Sequence, residues 1–182
     1  MRQLKVVLIS FFLLSIVSCK EDAKVVVAEP VDTSISTFYF IRHAEKDRSD
    51  SENSDPELTQ KGLGRAMHWA KILGDIQFDA IYSTDYNRTT MTAAPTSVNQ
   101  DIDVEYYDPR ILDIEQFKAD NLNRTVLVVG HSNTTPMMAN GIIGEEKYPA
   151  MSDDDNGSLF IVQKANGAIT SQRLHISCNC PD

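Results

Sequence analysis

Two histidines follow apolar runs that have the composition of buried strands. The run at 38–41 leads into Arg42-His43, and the run at 126–129 leads into Gly130-His131. Neutral imidazole can attack phosphorus as a nucleophile, and an adjacent guanidinium can hold phosphoryl oxygens through two parallel charge-assisted hydrogen bonds. The repeated pattern therefore indicates phosphate chemistry.

The elements that must position these histidines are strands of an open sheet. Continuous apolar runs are typical of strands covered by helices on both faces, and ligands of such sheets bind beyond the carboxyl ends of the strands. A third run at 80–84 leads into a predicted helix, which Ser83 or Asp85 is placed to cap. Arg88 in that helix would add positive potential beside both histidines.

Hydrophobic periodicity and turn residues predict a regular alternation of strands and helices. Asn166-Gly167 is a hairpin signal, so one edge strand of the sheet is expected to be antiparallel. The resulting fold class is α/β, a three-layer α/β/α sandwich with a mostly parallel sheet. The predicted strands lie near 37–41, 78–82, 103–107, 125–129, 158–163 and 168–175, and the predicted helices near 58–73, 86–97, 111–120 and 133–143.

The first residues have the pattern of a secretory signal, with a basic start and an apolar segment at 6–17 that is short for a membrane-spanning helix. The segment that follows resembles a bacterial lipobox, which predicts lipidation of Cys19 and a lipid-anchored protein of the cell envelope, periplasmic or on the outer-membrane surface. An ordinary cleaved signal or a tail anchor with an incidental cysteine is the alternative. The predicted divisions are a signal peptide at 1–18, a tether at 19–34, a folded domain at 35–177 that carries both histidines, and a tail at 178–182.

The charge of the chain argues against nucleic acid as a partner. Removal of the leader takes Arg2 and Lys5 from the 17 basic residues, so the mature chain carries 15 basic and 26 acidic residues, a formal charge of −11. Such a surface repels polyanions, and no basic stripe offsets it. The expected partners are a small phosphorylated substrate and, through the lipid, a membrane.

Several ordered motifs together resemble the histidine phosphatase superfamily, also called the phosphoglycerate mutase-like family. They extend from Phe38 to about Asn133, which is most of the predicted domain. The motifs are Arg42-His43, Leu58-Thr59-Gln60-Lys61-Gly62, Ser83 with Arg88 and Thr92-Ala93, and Gly130-His131-Ser132-Asn133.

The resemblance implies a metal-independent phosphatase without a cofactor. His43 would take the phosphoryl group to form a phosphohistidine that water hydrolyses, while Arg42, Arg88 and His131 surround the phosphoryl oxygens. Ser132 and Asn133 would begin the following helix and offer N–H groups to the phosphate. A metal site at Cys178 and Cys180 would need more ligands than His175 alone can supply, so an end tail is expected there.

The proton donor for the leaving group departs from the family pattern. Many relatives carry a Glu shortly after the third strand, in a context resembling Asp-Pro-Arg-Leu-Arg-Glu. Here the segment reads Asp108-Pro109-Arg110-Ile111-Leu112-Asp113, so Asp113 takes the aligned place and Asp108 competes with it. Small relatives that act on phosphohistidine need no such acid, and a turn or helix cap is the alternative role for both aspartates.

Hydrolysis is favoured over phosphoglycerate mutase activity because His43 and Leu58 are only 15 positions apart, which leaves little chain to close over a substrate. A phospho-ligand binding or sensing protein without turnover is the other class that fits the pocket. Two further segments are not predicted to have a functional role. Glu45-Lys46 is expected to form a solvated ion pair, and 153–157 is expected to form a solvated turn rather than a calcium loop.

Overall fold

The computed structural model describes residues 33–181, which form six strands and four helices in alternation. The strands are β1 (Ile35–Arg42), β2 (Ala80–Thr84), β3 (Val104–Tyr107), β4 (Thr125–Gly130), β5 (Ser158–Ala165) and β6 (Ala168–His175). The helices are α1 (Gln60–Ile72), α2 (Asn87–Gln100), α3 (Ile114–Asp120) and α4 (Thr134–Ile143).

All six strands belong to one sheet in the order β3-β2-β4-β1-β5-β6. The first four strands of the chain are mutually parallel, and β5 runs against β1 and β6, its two neighbours. The chain moves from β1 through β2 to β3 in one direction and returns to β4 in the other. Because parallel crossovers are right-handed, this reversal puts α1 and α2 on one face and α3 on the other.

The core consists of two apolar layers, one on each face of the sheet. Side chains alternate along a strand, so Val126 and Val128 of β4 join the layer of α3 and α4, while Leu127 and Val129 join the layer of α1 and α2. The second layer contains Trp69, which is almost fully buried. Burial on both faces explains why these strands read as continuous apolar runs.

The predicted fold class is confirmed, and every predicted strand and helix is present. The antiparallel edge is the hairpin of β5 and β6, joined by Asn166 and Gly167 at φ 52° and 77°, as a two-residue turn of the mirror-image kind requires. The largest differences in bounds are three residues each: α2 ends at Gln100 rather than 97, and α3 begins at Ile114 rather than 111 because Asp113 caps it.

The predicted signal peptide, the lipidation site Cys19 and nearly all of the predicted tether lie outside the described residues. Within residues 33–181, no helix is long and apolar enough to cross a membrane. At the other end, Cys178 and Cys180 are joined by a disulfide.

Candidate active site

The ends of β1 and β4 bring the two predicted histidines together. Arg42 and Gly130 are register partners, and the backbone N–H of His43 donates to the carbonyl oxygen of Gly130 at 2.9 Å. The chain leaves β1 for α1 and leaves β4 for α4 on opposite faces of the sheet, which opens a crevice between the two strand ends. The rings of His43 and His131 meet there, with centroids 5.5 Å apart.

His43 is held in a defined tautomer by its neighbour. Its Nδ1 lies 2.7 Å from the carbonyl oxygen of Ala44, which can only accept a hydrogen bond, so Nδ1 carries the proton. Burial lowers the pKa of His43, the hydrogen bond to Ala44 raises it, and the charge of Arg42 lowers it again. The resulting pKa is about 3. The ring is therefore neutral at pH 7, and its Nε2 carries the lone pair.

The loop after β1 is fixed by the two helices of its face. The N–H of Ala44 donates to Oγ1 of Thr92 at 2.9 Å, and the carbonyl oxygen of Glu45 accepts from the N–H of Thr59 at 2.9 Å. Thr59 is also the N-cap of α1. Gly62 lies against this loop so closely that a Cβ would overlap the carbonyl oxygen of Glu45.

The expected ion pair between Glu45 and Lys46 is wrong. The carboxylate of Glu45 instead accepts from Nε and Nη2 of Arg65, at 2.7 to 2.9 Å, and both side chains are largely buried. Arg65 lies on α1, so the pair ties the loop after β1 to that helix. Lys46 is left facing the crevice, where it lines the same cleft as His43.

Arg42 is almost fully buried, with 2% of its surface exposed. Its Nη1 donates to the carbonyl oxygen of Ser152 at 2.8 Å, and its Nη2 donates to Oδ1 of Asp153 at 2.8 Å. Its Nε is buried and has no hydrogen-bond partner among the described residues. Because buried N–H groups are rarely left unsatisfied, this donor points to an acceptor from outside the chain.

The segment at 153–157 is a structural part of the site, and the prediction of a solvated turn is wrong. Asp155 and Asn156 are buried, at 8% and 7% exposure. The carboxylate of Asp155 is satisfied by Ser158 and Arg173, and Nδ2 of Asn156 donates to the carbonyl oxygen of His43 at 2.8 Å. This segment therefore holds both Arg42 and His43 in place.

Arg88 lies in the first turn of α2 and faces the same crevice. Its Nη1 donates to Oδ1 of Asp55 at 3.3 Å, and its guanidinium lies 4.3 Å from the ring centroid of Tyr86. Its Nε is buried and has no hydrogen-bond partner within residues 33–181. Neither Ser83 nor Asp85 caps α2, which corrects that expectation. The carboxylate of Asp55 accepts the N–H of Asn87 at 2.9 Å and so supplies the cap from a distant loop.

His131 is oriented by the end of β2. Its Nε2 lies 2.9 Å from Oγ1 of Thr84, and its ring meets that of Tyr86 edge to face at 5.1 Å. Burial, followed by the charges of Arg88 and Arg42, lowers the pKa of His131 to about 4. This second ring is neutral at pH 7 as well.

The two candidate proton donors lie in different settings. Asp113 caps α3 by accepting from the N–H groups of Glu115 and Gln116, and its side chain does not line the cleft. Asp108 does line the cleft, where it accepts two hydrogen bonds from Nε and one from Nη2 of Arg110. Hydrogen bonding from Arg110 lowers the pKa of Asp108 to about 2, so this carboxyl is ionised at neutral pH.

The crevice is a cleft of about 750 Å³. Ser132 and Asn133 line it at the start of α4, where Asn133 is the N-cap. In the part of the chain that the structure describes, no group of three His, Cys, Asp or Glu side chains is placed to hold a metal ion. The structure thus brings together every predicted site residue that it describes, except Asp113.

Sequence reasoning missed several residues that build this site. Thr84 ends the apolar run at 80–84, and Thr92 belongs to one of the motifs. Both hydroxyls could therefore have been identified from the sequence as candidates at a strand end and in a helix. Asp55, Asp153 and Asn156 carried no such signal, because they come from polar segments far from the histidines in sequence and resemble solvated loops.

A family model described as histidine phosphatase superfamily (branch 1) matches residues 38–115. The resemblance that the motifs indicate is thereby confirmed over this segment of the chain. No protein in the curated collection matches the chain.

Many solved structures share the fold at low sequence identity. A protein histidine phosphatase SixA complexed with tungstate is 14% identical, with a TM-score of 0.62 over 76% of this chain and 96% of that chain. A phosphoglycerate mutase from Bacillus anthracis is 16% identical, with a TM-score of 0.58 over 79% of this chain and 94% of that chain. A mycobacterial glucosyl-3-phosphoglycerate phosphatase is 15% identical, with a TM-score of 0.58 over 78% of this chain and 98% of that chain.

Proposed function

We propose that this protein is a phosphatase that hydrolyses a phosphomonoester or phosphoramidate through a phosphohistidine on His43. The observation that carries the proposal is a set of buried nitrogen atoms without partners in residues 33–181: Nε of Arg42 and Nε of Arg88, beside the unprotonated Nε2 of His43. Two arginines that line one cleft and keep unpaired N–H donors suit an anion, and the lone pair of His43 in the lining of the same cleft suits attack on phosphorus.

In the first step, the lone pair of Nε2 of His43 forms a bond to phosphorus, and the bond from phosphorus to the leaving atom breaks with its electron pair on that atom. The imidazole becomes positively charged, and its Nδ1–H continues to donate to the carbonyl oxygen of Ala44, which stabilises that charge. In the second step, a water oxygen attacks phosphorus, the N–P bond breaks, and inorganic phosphate leaves. The two steps replace one difficult displacement.

Hydrogen-bond donors in fixed positions stabilise the negative charge on the transferred phosphoryl group. Arg42 keeps Nε and one N–H of Nη2 for the phosphoryl oxygens, because Ser152 and Asp153 occupy its other edge. Arg88 offers its Nε in the same way, and His131 and the first N–H groups of α4, at Ser132 and Asn133, complete the donor set. These groups are in place before substrate binds, so little reorganisation accompanies the reaction.

The leaving-group side favours substrates that need no proton from a carboxylic acid. Asp113 is occupied as a helix cap, and Asp108 is ionised beside Arg110. We infer that Asp108 is the better placed of the two and that it donates only when substrate binding displaces Arg110. Aryl phosphates, and phosphoramidates protonated on nitrogen, leave without such help. The relative named a protein histidine phosphatase agrees with the second of these classes.

The test is a phosphatase assay of the full chain with 4-nitrophenyl phosphate and with phosphorylated imidazole, together with acid-quench labelling. We expect turnover inhibited by vanadate, and a base-stable, acid-labile phosphoryl group on His43. The variant His43→Ala should lose both turnover and label, and His68→Ala, which changes a half-buried histidine outside the cleft, should keep both. Normal turnover of His43→Ala would exclude the mechanism.

A phospho-ligand binding or sensing protein is the second candidate, and the ionised state of Asp108 is the observation that favours it. Such a protein would bind phosphate and tungstate at the same donors and would turn over neither substrate. The phosphatase assay therefore separates the two candidates.

We further propose that the protein is anchored in the cell envelope by lipid on Cys19, on the strength of the lipobox pattern alone. Metabolic labelling with a fatty acid should mark the wild-type chain and should not mark Cys19→Ser. Equal labelling of both chains would contradict the anchor.

A further inference from the structure

Lys46 is a cation without an anionic partner at the centre of the site. It lines the cleft that holds Arg42, His43 and Arg88, and it also lines an adjoining cleft of about 730 Å³. Its Nζ makes no hydrogen bond or ion pair with any residue in 33–181. The carboxylate that acts on it, Asp153, is already bonded to both Arg42 and Arg48.

The surroundings of Lys46 are positively charged. Burial lowers the pKa of the Lys46 ammonium, and the charges of Arg88 and Arg48 lower it further, against a smaller opposite effect of Asp153. A half-buried ammonium beside like charges is unfavourable unless an anion is bound near it. Nothing in the folding of the chain requires the side chain there, because Lys46 contributes to structure through its backbone bridge to Leu58.

The charges around the phosphoryl position give this lysine a specific role. The cations are Arg42, Arg48, Arg88 and Lys46, and the bound carboxylates are Asp55 and Asp153. The two histidines of the site are neutral at pH 7. Two positive charges therefore remain, which is the charge that neutralises a phosphomonoester dianion, and without Lys46 only one would remain.

The other charged groups of the cleft do not change this balance. Asp108 and Arg110 neutralise each other at 2.6 Å, and Asp85, which also lines the cleft, forms no ion pair with any of the four counted cations within residues 33–181. The side chains that surround the transferred group thus match a dianion, whereas a phosphodiester monoanion would leave one positive charge without a counterion.

We propose that Lys46 is a third phosphoryl-binding cation and that it sets the preference of the site for dianionic phosphomonoesters. The proposal rests on the proposed function for the location of the phosphoryl group. It adds a binding residue outside the motif set and a charge rule for the ligand.

The test is equilibrium binding of two tetrahedral oxoanions to the full chain by calorimetry, with tungstate as the dianion and perrhenate as the monoanion. Lys46→Met should weaken tungstate binding on the order of 10- to 100-fold, the range for loss of a charge-assisted hydrogen bond, and should change perrhenate binding several-fold less. Lys46→Arg should keep most of the tungstate affinity. The matched control is Lys61→Met, which removes the same charge from the adjoining cleft alone.

Unfolding temperatures of the variants show that they fold. An unchanged tungstate affinity in Lys46→Met, an equal loss for both oxoanions, or an equal loss in Lys61→Met would overturn the proposal. Tungstate binding that depends on Lys46 in a chain without phosphatase turnover would support this proposal and refute the proposed function. Turnover in the wild-type chain together with a tungstate affinity that does not depend on Lys46 would support the proposed function and refute the role of Lys46.

Discussion

The Nδ1 atom of His43 lies 2.7 Å from the carbonyl oxygen of Ala44, the next residue in the chain. A carbonyl oxygen cannot donate, so this contact fixes the proton on Nδ1 and directs the Nε2 lone pair into the cleft. Burial then keeps the ring neutral, with its pKa lowered to about 3. The imidazole therefore already has the form that the proposed attack on phosphorus requires before substrate binds.

The first prediction concerns the pH dependence of turnover. Because the pKa values of His43 and His131 are lowered to about 3 and about 4, both rings stay neutral in the free protein down to about pH 5. We expect kcat/KM for 4-nitrophenyl phosphate, corrected for the ionisation of the substrate, to stay level between pH 7 and pH 5. An acidic limb centred near pH 6.5 would contradict the assigned state of the histidines.

The second prediction concerns stability. Both histidines bind protons in the unfolded chain near pH 6.5 and do not bind them in the folded chain until a lower pH, so stability falls as pH decreases. Between pH 7 and pH 5, each should reduce the free energy of unfolding by about 2 kcal/mol. Urea unfolding at both pH values measures this change, and His43→Asn should remove about half of it.

The third prediction concerns Gly62, whose position in α1 faces the loop that carries His43. A Cβ at Gly62 would overlap the carbonyl oxygen of Glu45, so Gly62→Ala must displace that loop. We expect a loss of about 1–3 kcal/mol in the free energy of unfolding and a lower kcat. Gly64→Ala is the matched control, since the atoms nearest to its Cβ would be side-chain atoms of Cys180 and Pro181 rather than backbone. Equal kcat values in the two variants would contradict this role of Gly62.

The fourth prediction separates the two aspartates. Asp113→Ala should reduce the free energy of unfolding by about 1 kcal/mol, as expected for an N-cap, and should leave turnover unchanged. Asp108→Asn should lower kcat/KM for an alkyl phosphate more than for 4-nitrophenyl phosphate, whose leaving group needs no proton. The measurement is kcat/KM of both variants with both substrates. A selective loss with alkyl phosphate in Asp113→Ala would reverse the assignment.

The fifth prediction concerns Asn156, which donates to the carbonyl oxygen of His43 at 2.8 Å. Asn156→Ala leaves that buried oxygen without its partner, so we expect a loss of about 1–3 kcal/mol in the free energy of unfolding and a reduced kcat. Asp154→Asn changes an exposed neighbour in the same segment and should alter neither quantity. Unchanged kcat in Asn156→Ala would show that this contact does not position the nucleophile.

Local patterns were sufficient for the secondary structure and for the two histidines. The apolar runs before Arg42 and Gly130 predicted buried strands, and the rule that ligands bind beyond strand ends placed His43 and His131 on one edge. Asn166-Gly167 predicted its hairpin because few residues adopt positive φ at two successive positions. These inferences succeeded because each depends on neighbours in sequence.

The predictions that failed depended on distant residues. The aspartates and the asparagine of 153–157 resemble a solvated turn, yet Arg42 and His43 lie more than 100 positions earlier and bury part of that segment. Similarly, α2 is capped by Asp55 from the loop before α1 rather than by a residue at its own start. No local propensity encodes such partners.

The sequence by itself determined the alternation of strands and helices, the resemblance to the superfamily, and the strand-end location of the two histidines and Arg42, because periodicity and short motifs express backbone geometry directly. Tertiary structure alone decided the tautomer and neutrality of His43, the occupation of Asp113 as a cap, and the position of Lys46 in the cleft beside an aspartate that is already paired with two arginines. These properties come from burial and from contacts between segments remote in the chain. Burial sets the pKa, and those contacts determine which donors remain for a phosphate.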